Sequence, residues 1–374
     1  MVKIALKDLL FNRSKVLKIA GEIYGVYPAF QKDDFARDVI EAFLQLELKA
    51  RIIWIAECLK KYLPRDFPSA VRILLEALPP PNDPNLTDDD FGDFIYAPYA
   101  EYVAKNGCNK RDLEKALKAL KAMTTRFSAE DAIRYFINAF PEETLQELLI
   151  WTGDAHYHVR RLCSEGTRPK LPWARKIKIP MTAPLPILDR LYSDCTRFVT
   201  RSVANHLNDL SKIDPDLVVN KLRMWRESGS QKPKEMGYII RHALRTLVKK
   251  GHPKALQLLG FSDALRVSVA DFEVPAKVRM GTFLEFSFML QAQENTAVIV
   301  DYIIYFQNKL GKRSGRKVFK LKQMSLKKNQ SVRISKRHLL RQFMTTRTLY
   351  TGPHEIELQI NGKSYGRGTF ELAE

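Results

Sequence analysis

Residues 36–63, ARDVIEAFLQLELKARIIWIAECLKKYL, decide the fold class of the first part of the chain. Apolar residues recur in this stretch at spacings of three and four, which predicts amphipathic helix. Prolines and short polar turns separate it from similar stretches, so we expect stacked helical pairs in a HEAT-like solenoid more than a compact bundle. Six further stretches have the same period: FPSAVRILLEAL (67–78), RDLEKALKALKAMTTRF (111–127), AEDAIRYFINAF (129–140), EETLQELLIWTGD (142–154), LPILDRLYSDCTRFVTRSVANHLNDLSKI (185–213) and MGYIIRHALRTLVKKGHPKALQLLGF (236–261).

The pattern changes after Ser262. Stretches such as FLEFSFMLQA (283–292) and VIVDYIIYFQ (298–307) are rich in β-branched and aromatic residues in approximate alternation. The Asn361-Gly362 pair favours a tight hairpin turn. About seven short strands in this region predict an immunoglobulin-like sandwich. We therefore predict a mainly α protein with a HEAT-like helical-repeat domain in residues 1–260 and an immunoglobulin-like β-sandwich in residues 261–374.

Charge is the main clue to a partner. Sixty-one Lys and Arg residues against 42 Asp and Glu give a formal net charge of +19, which indicates a polyanion such as nucleic acid. The four cysteines form no C-x-x-C pair, which argues against a disulfide framework and a zinc ribbon. Lysines and an aspartate interrupt the N-terminal apolar residues, and no run of about 18 apolar residues occurs. We expect a cytoplasmic protein, associated with the nucleoid through DNA binding.

The segment 155–173, AHYHVRRLCSEGTRPKLPW, combines a basic helix with one lone carboxylate, Glu165. Gly166 permits the helix to end, and Pro169 and Pro172 stiffen the loop that leads to Trp173. Such a segment suits contact with a polyanion, although Trp173 could equally be a core residue between two helical repeats. The arginines of the segment, with one just beyond it, are Arg160, Arg161, Arg168 and Arg175.

Two other places carry candidate carboxylates. Arg197, Arg201, Asn205 and Asp209 follow one another at spacing four and share one helix face, which could line a groove or be an ordinary solvated face. The opposite stripe, expected to be buried, is Phe198, Val203 and Leu207. In FSAEDAIRYF (127–136), Ser128 is expected to cap a helix, which would explain the acidic residues Glu130 and Asp131 in its first turn.

The C-terminal part has a long basic run. No acidic residue occurs between Asp301 and Glu355. This run favours a phosphate-contacting module, with a basic edge that prevents strand pairing as the alternative. The residues of this run that we predict to contact DNA are Lys312, Arg313, Arg316 and Lys317.

Several kinds of site find no support in the sequence. There is no phosphate-binding loop, no G-x-G-x-x-G motif and no serine or cysteine nucleophile signature. His156 and His158 have no third ligand at metal-site spacing. We therefore predict neither a metal nor a cofactor, and any catalysis would rest on carboxylates, arginines and aromatic residues.

Three segments carry a resemblance to a known family. HVRRLCSEGTRPKLPW (158–173), TRSVANHLND (200–209) and RHALRTLVKKGHPKALQLLGF (241–261) resemble the AlkC family of DNA alkylation repair glycosylases, and the resemblance runs through nearly the whole chain. The string from Ser164 to Trp173 is its most specific part. FSAEDAIRYF departs from the family pattern at Asp131 and Tyr135, where an aromatic residue and a proline are expected.

The resemblance implies a monofunctional glycosylase that excises N3-methylated bases, chiefly 3-methyladenine and 3-methylcytosine, from duplex DNA. It implies that the lesion stays largely in the duplex and that alkylated double-stranded DNA is the partner. Both predicted domains are expected to be self-sufficient, so we expect a monomer. A base alkylated at N3 is cationic and already a good leaving group. The enzyme must then stabilise an oxocarbenium-like sugar and position a water, and carboxylates suit both tasks.

On this reading Asp209 and Glu165 stabilise the sugar cation and position water, with Glu130 assisting. Trp173 packs against the nucleotide that carries the lesion. Arg161, Arg168, Arg197 and Arg201 hold flanking phosphates, and the basic loops of the C-terminal domain grip the duplex from the other side. The alternative is a non-catalytic HEAT-like scaffold that binds nucleic acid or an acidic protein, which accounts equally well for the charge and the helices.

Overall fold

Helices and strands occupy separate parts of the chain, as the sequence predicts. The structure, a computed structural model, describes residues 5–88, 91–262, 264–342, 344 and 347–374, and of Arg313 and Ser314 only the backbone. One compact unit comprises Met1–Leu210 with Trp225–Ala243, and the other comprises Ser211–Met224 with Leu244–Glu374. The domain boundary near residue 260 stays a prediction.

The helices of the described residues are α1 Leu6–Leu10, α2 Arg13–Val26, α3 Lys32–Glu41, α4 Leu48–Tyr62, α5 Phe67–Glu76, α6 Ala97–Gly107, α7 Leu113–Thr124, α8 Ile133–Ala139, α9 Pro141–Trp151, α10 Tyr157–Glu165, α11 Leu185–Leu191, α12 Arg197–Leu210, α13 Pro215–Ser228, α14 Pro233–Lys249 and α15 Pro253–Leu258. Local chemistry sets several of their starts. Asn12 and Asp66 cap α2 and α5 by accepting backbone N–H groups, and a proline stands in the first turn of α5, α6 and α9.

The stretch 36–63 is not one helix. It forms the end of α3, a 3-10 turn at Phe43–Gln45 and then α4. At this break Arg51, which is 3% exposed, donates from its guanidinium group to the carbonyls of Phe43 and Leu46 at 2.8 and 3.1 Å. The guanidinium group thus supplies donors to carbonyls that lie between the two helices.

Neighbouring helices pack in chain order in the first unit. Helix α4 contacts α3 and α6, α7 contacts α5 and α6, and α10 contacts α9 and α12. The apolar stripes identified by their period supply the interior, because Ile55, Leu59 and Leu120 are fully buried. This is the stacking of helical pairs predicted from the sequence. None of the described helices combines the length and the hydropathy that crossing a bilayer requires.

The described C-terminal residues form two sheets. The three-stranded sheet has the order β1-β3-β6, and the five-stranded sheet has the order β2-β8-β7-β4-β5, in which only β2 and β8 are parallel neighbours. Strand β2 has only three residues and gave no alternating pattern, so the sequence predicts about seven strands where eight form. The strands are β1 Val267–Glu273, β2 Lys277–Arg279, β3 Phe283–Ala292, β4 Thr296–Gln307, β5 Arg313–Leu326, β6 Ser331–Leu339, β7 Gly352–Ile360 and β8 Lys363–Ala373.

The predicted hairpin turn is confirmed. Ile360 of β7 pairs with Lys363 of β8, and the two residues between them have positive φ, 44° at Asn361 and 81° at Gly362. That backbone is the two-residue turn that an Asn-Gly pair favours. The side chains between the sheets form the second unit's core, which includes Leu284, Phe288, Ile304, Leu358 and Phe370. The mainly α architecture with an immunoglobulin-like sandwich is therefore confirmed.

Candidate active site

Two packed helices of the first unit carry the main candidate carboxylates. Helix α10 begins at His156, whose Nδ1 accepts the backbone N–H of His158 at 3.2 Å, and it ends at Glu165. Helix α12 buries Phe198, Val203 and Leu207, as its apolar stripe predicts, and carries Asp209 in its last turn. The packing of these helices lets the Ser202 hydroxyl of α12 donate to Glu165 Oε2 at 2.6 Å.

Arg168 joins the two carboxylates. Its Nη1 lies 2.6 Å from Glu165 Oε1, and its Nε and Nη2 lie 3.1 and 2.9 Å from Asp209 Oδ2. Glu165 and Asp209 are only 5% and 3% exposed. The structure therefore brings the two predicted carboxylates to one place, although they are 44 residues apart in the sequence. The alternative of an ordinary solvated face is wrong for Asp209, because that side chain is buried.

Arg161 extends the same cluster to Glu130. Its Nη1 lies 3.0 Å from Glu130 Oε2, and its Nη2 lies 3.8 Å from Glu165 Oε1. The Ser128 hydroxyl donates to Glu130 Oε2 at 2.8 Å, and helix α8 begins only at Ile133. The prediction of Ser128 as a helix cap is therefore wrong, because its hydroxyl is bonded to a side chain. We call Glu130, Arg161, Glu165, Arg168 and Asp209 the carboxylate–arginine cluster.

The cluster keeps Glu165 ionised. Burial alone would raise the pKa of Glu165, but the guanidinium groups of Arg161 and Arg168, with the Ser202 hydroxyl, hold that pKa below its ordinary value. Burial likewise opposes the charged form of Arg168, yet Glu165 and Asp209 raise its pKa above the ordinary value. The charges of Glu165 and Arg168 are thus stabilised by their partners against the cost of leaving water.

A buried histidine, His206, lies close to the cluster. His206 of α12 is fully buried, and its Nδ1 lies 3.2 Å from the carbonyl oxygen of Ser164. Burial, with the nearby Arg168 guanidinium, lowers the pKa of His206 to about 4. The imidazole is therefore neutral at neutral pH and adds no positive charge to the cluster.

Glu130 also faces a small cavity with aromatic walls. The cavity has a volume of about 100 Å³. Its aromatic walls and its carboxylate suit a planar or cationic group. The lining residues are Phe91, Thr124, Phe127, Ser128, Glu130, His158, Arg161 and Phe198.

Trp173 lies in the loop 166–184 between α10 and α11. Its side chain is 91% exposed, so the alternative of a core tryptophan is wrong. Its φ of 58° is in the left-handed region, which costs a non-glycine residue about 1 kcal/mol or more. Lys49 of α4 donates to its carbonyl oxygen at 2.5 Å. The loop thus presents an indole to solvent from a backbone that other elements hold.

Arg197 and Arg201 have partners other than the cluster. The Arg197 guanidinium donates to both carboxylate oxygens of Glu235, at 2.8 and 2.5 Å. Arg201 forms an ion pair with Asp88. These ion pairs join both arginines to carboxylates outside the cluster, and their predicted contact with phosphates stays a prediction. The same holds for Arg161 and Arg168, whose guanidinium groups are bonded to carboxylates.

The predicted C-terminal contacts belong to the second unit. Lys312, Arg316 and Lys317 are exposed, and the last two lie on β5 at an edge of the five-stranded sheet. Arg313 begins the same strand, but its side chain lies outside the described part of the structure. This edge position fits the phosphate-contacting reading and the alternative of a charged edge that resists strand pairing.

Sequence reasoning missed two residues that organise this site, Ser202 and Arg134. Ser202 precedes Asp209 by two helical turns, and nothing in its neighbours signals a contact with Glu165. Arg134 lies among the apolar residues of α8 at a position that the helical period places inside, and a basic residue there is the only available signal. In the described residues no group of three or more His, Cys, Asp and Glu side chains could hold a metal ion.

Comparison with known proteins gives consistent results. The family model described as "Uncharacterised protein YhaZ, C-terminal Ig-like domain" matches residues 268–374. Uncharacterized protein YhaZ of Bacillus subtilis is 32% identical over 359 residues, which are 95% of this chain and 96% of YhaZ. The structure is similar to that of Pseudomonas fluorescens alkylpurine DNA glycosylase AlkC bound to DNA containing an abasic site analog. That match has a TM-score of 0.89 and 33% identity, and it covers 99% of this chain and 100% of that one.

Proposed function

Because the chain belongs to the AlkC family, we propose that it is a DNA glycosylase that hydrolyses the N-glycosidic bond of alkylated bases in double-stranded DNA. Its substrates are bases methylated at N3, such as 3-methyladenine and 3-methylcytosine. The observation that carries the proposal is the carboxylate–arginine cluster, in which Glu165 and Asp209 meet through Arg168. A plain polyanion clamp would have no use for buried carboxylates at this place.

The reaction requires stabilisation of the cation that forms on the sugar. The bond between C1′ and the base nitrogen breaks with its electron pair going to the cationic base, which leaves as a neutral molecule. Positive charge then develops on the sugar, and water adds to C1′ while its proton passes to solvent or to a carboxylate. Fixed negative charge close to the sugar lowers the energy of this transition state more than that of the bound substrate.

The charges of the cluster suit this task. Three carboxylates and two guanidinium groups leave one net negative charge among five side chains. The lowered pKa of Glu165 supports its action as an anion near neutral pH. Glu130 is the most exposed of the three carboxylates, with 29% of its side chain accessible, and would be the first to meet a bound nucleotide. Asp209 and Glu165 act from behind it.

Other residues would bind the DNA. The exposed indole of Trp173 offers a flat surface for a deoxyribose or a base, and an aromatic face near a cation contributes about 0.5 to 2 kcal/mol. Arg197 and Arg201 would exchange their carboxylate partners for phosphates. Such an exchange has little net cost, because both ion pairs are partly exposed.

Two amide substitutions test the catalytic assignment. Glu165→Gln and Asp209→Asn each remove one negative charge with little change in shape. We expect each to lower the release of 3-methyladenine from methylated duplex DNA by about 100-fold or more. Binding to a duplex with an abasic-site analogue, measured by fluorescence anisotropy, is expected to persist. Glu114→Gln is the matched control, because Glu114 lies on the same unit, exposed and paired with Lys118.

Two results would contradict the proposal. Equal loss of binding and of base release in both variants would mean that Glu165 and Asp209 are structural. Absence of free base and of abasic sites with the unaltered protein would favour the non-catalytic scaffold.

A further inference from the structure

Arg134 is the largest side chain that the described structure buries completely, with 1% of its surface exposed. It stands in the first turn of α8, between apolar residues, and belongs to no predicted site. Its Nη1 donates to the carbonyl oxygens of Gly166 and Arg168 at 3.1 and 2.9 Å, and its Nε donates to that of Arg175 at 2.5 Å. All three acceptors are backbone atoms of one segment, the loop 166–184.

This arrangement is costly for the protein. Burial lowers the pKa of Arg134, and the nearby Arg168 guanidinium lowers it further, while Asp131, Glu130 and Glu165 act in the opposite direction only through space. Its guanidinium group donates to three neutral carbonyls. Such a buried cation is expected where a planar group must donate from two separate nitrogen atoms in a fixed geometry, whereas lysine has donors on a single nitrogen only.

The bonded carbonyls lie on both sides of Trp173. Gly166 and Arg168 precede it, and Arg175 follows it. The indole is 91% exposed and contributes no packing that could order the loop. Two further contacts hold the far side: Asp131, in the turn before α8, accepts the backbone N–H of Arg175 at 3.2 Å, and the Arg175 guanidinium lies 3.2 Å from the centroid of the Tyr135 ring of α8.

The near side of the loop is part of the carboxylate–arginine cluster. The Arg168 carbonyl is bonded to Arg134, while the Arg168 side chain joins Glu165 to Asp209. We propose that Arg134 is a positioning residue for the glycosylase reaction: it holds the loop so that Trp173 and the Arg168 bridge are placed together before DNA binds. This inference rests on the proposed function for its catalytic part only.

The test replaces Arg134 with lysine, which keeps the charge and removes the fork. The matched control is Arg51→Lys, because Arg51 is another buried arginine whose guanidinium donates to several backbone carbonyls, in the N-terminal segment. The first readout is tryptic cleavage of the native protein at the exposed residues Lys170, Arg175, Lys176 and Lys178. We expect Arg134→Lys to accelerate cleavage in this loop about 10-fold and Arg51→Lys to leave it unchanged.

The second readout is the reaction. Misplacement of a reacting geometry by about 1 Å costs up to about 100-fold in rate, so we expect Arg134→Lys to lower the single-turnover rate of base release at least 10-fold. Its Kd for duplex DNA is expected to change less than 3-fold. The double variant Arg134→Lys with Trp173→Ala tests whether the two residues act through one loop. We expect its rate of base release to equal that of the slower of the two single variants.

Three outcomes would overturn the inference. The first is a rate of loop cleavage in Arg134→Lys equal to that of the unaltered protein, and the second is the same acceleration of loop cleavage in Arg51→Lys. The third is a rate of base release in the double variant that is reduced by the product of the two single reductions. If the unaltered protein releases no base, the proposed function fails. The comparison of tryptic cleavage still decides whether Arg134 holds the loop.

Discussion

Asp301 of β4 is a buried carboxylate outside the candidate active site, and it shows how one residue couples stability to pH. It is 5% exposed, and burial raises its pKa from 3.8 to about 6, although Lys320 and Lys249 pull that pKa down. Between these two values the unfolded chain loses the proton and the folded chain keeps it. The free energy of unfolding therefore falls as the pH rises through about 4 to 6 and stays lower above that range.

Asp301→Asn removes this titration. We expect the free energy of unfolding of the variant, relative to that of the unaltered protein, to be higher at pH 7 than at pH 4 by up to about 3 kcal/mol, so that the variant is relatively more stable at pH 7. Urea unfolding of both proteins at a series of pH values measures this difference in the free energy of unfolding. Any hydrogen bond that the amide fails to form affects the variant equally at every pH, so it does not change the pH dependence. Glu371→Gln, at an exposed position of β8, is the control. A difference that does not vary between pH 4 and 7 would contradict the assignment.

At the scale of elements, the β7–β8 hairpin depends on one glycine for two reasons. Gly362 has a φ of 81°, and a Cβ built on it would lie 2.3 Å from Cα of Gly251. The neighbouring atom is backbone, so no side-chain rotation can relieve the overlap. The turn therefore needs a residue that tolerates positive φ and also has no side chain.

Gly362→Ala is expected to destabilise the protein much more than Gly281→Ala does. Gly281 has nearly the same φ, 83°, but a Cβ there meets nothing within 4 Å, so it isolates the cost of positive φ, about 1 to 2 kcal/mol. We expect Gly362→Ala to cost about 2 kcal/mol beyond that control, because overpacking adds about 1 to 3 kcal/mol. Denaturant unfolding of the two variants checks this, and equal losses would show that the turn moves freely away from Gly251.

At the scale of the whole molecule, the basic residues behind the net charge of +19 differ in their surroundings. In the candidate active site, arginines are paired with carboxylates, whereas Arg316 and Lys317 on β5 are exposed at a sheet edge. We propose that this edge contacts phosphates. The reading of a charged edge that only prevents strand pairing gives the opposite expectation for DNA binding.

Arg316→Glu combined with Lys317→Glu separates these readings. If both side chains contact phosphates, we expect weaker binding to duplex DNA and a decrease of about 2 in the slope of log K against log salt. Lys277→Glu combined with Arg279→Glu makes the same change of net charge at β2, on the opposite edge of the same sheet. If both pairs of substitutions leave the salt slope unaltered, or change it equally, the β5 edge is not part of the DNA interface.

Much of the molecule could be predicted without its structure. The helical period, the alternating strands and the Asn-Gly turn are local patterns, and each one fixes a local structure. Spacing of four also placed Arg161 beside Glu165 on α10. Burial of Val203 and Leu207 followed from the same period.

The sequence by itself determined the fold class, because periodicity and turn chemistry depend on near neighbours along the chain. Only the tertiary structure decided that Arg168 joins Glu165 to Asp209. The same is true of the bonds from Arg51 to the carbonyls of Lys7 and Phe11, and of those from Arg134 to the loop that carries Trp173. Each of these contacts joins residues that are distant in sequence or uses the backbone of another segment. A guanidinium group at the end of a long side chain can reach many different acceptors. The packing of the surrounding helices and loops determines which of them it bonds.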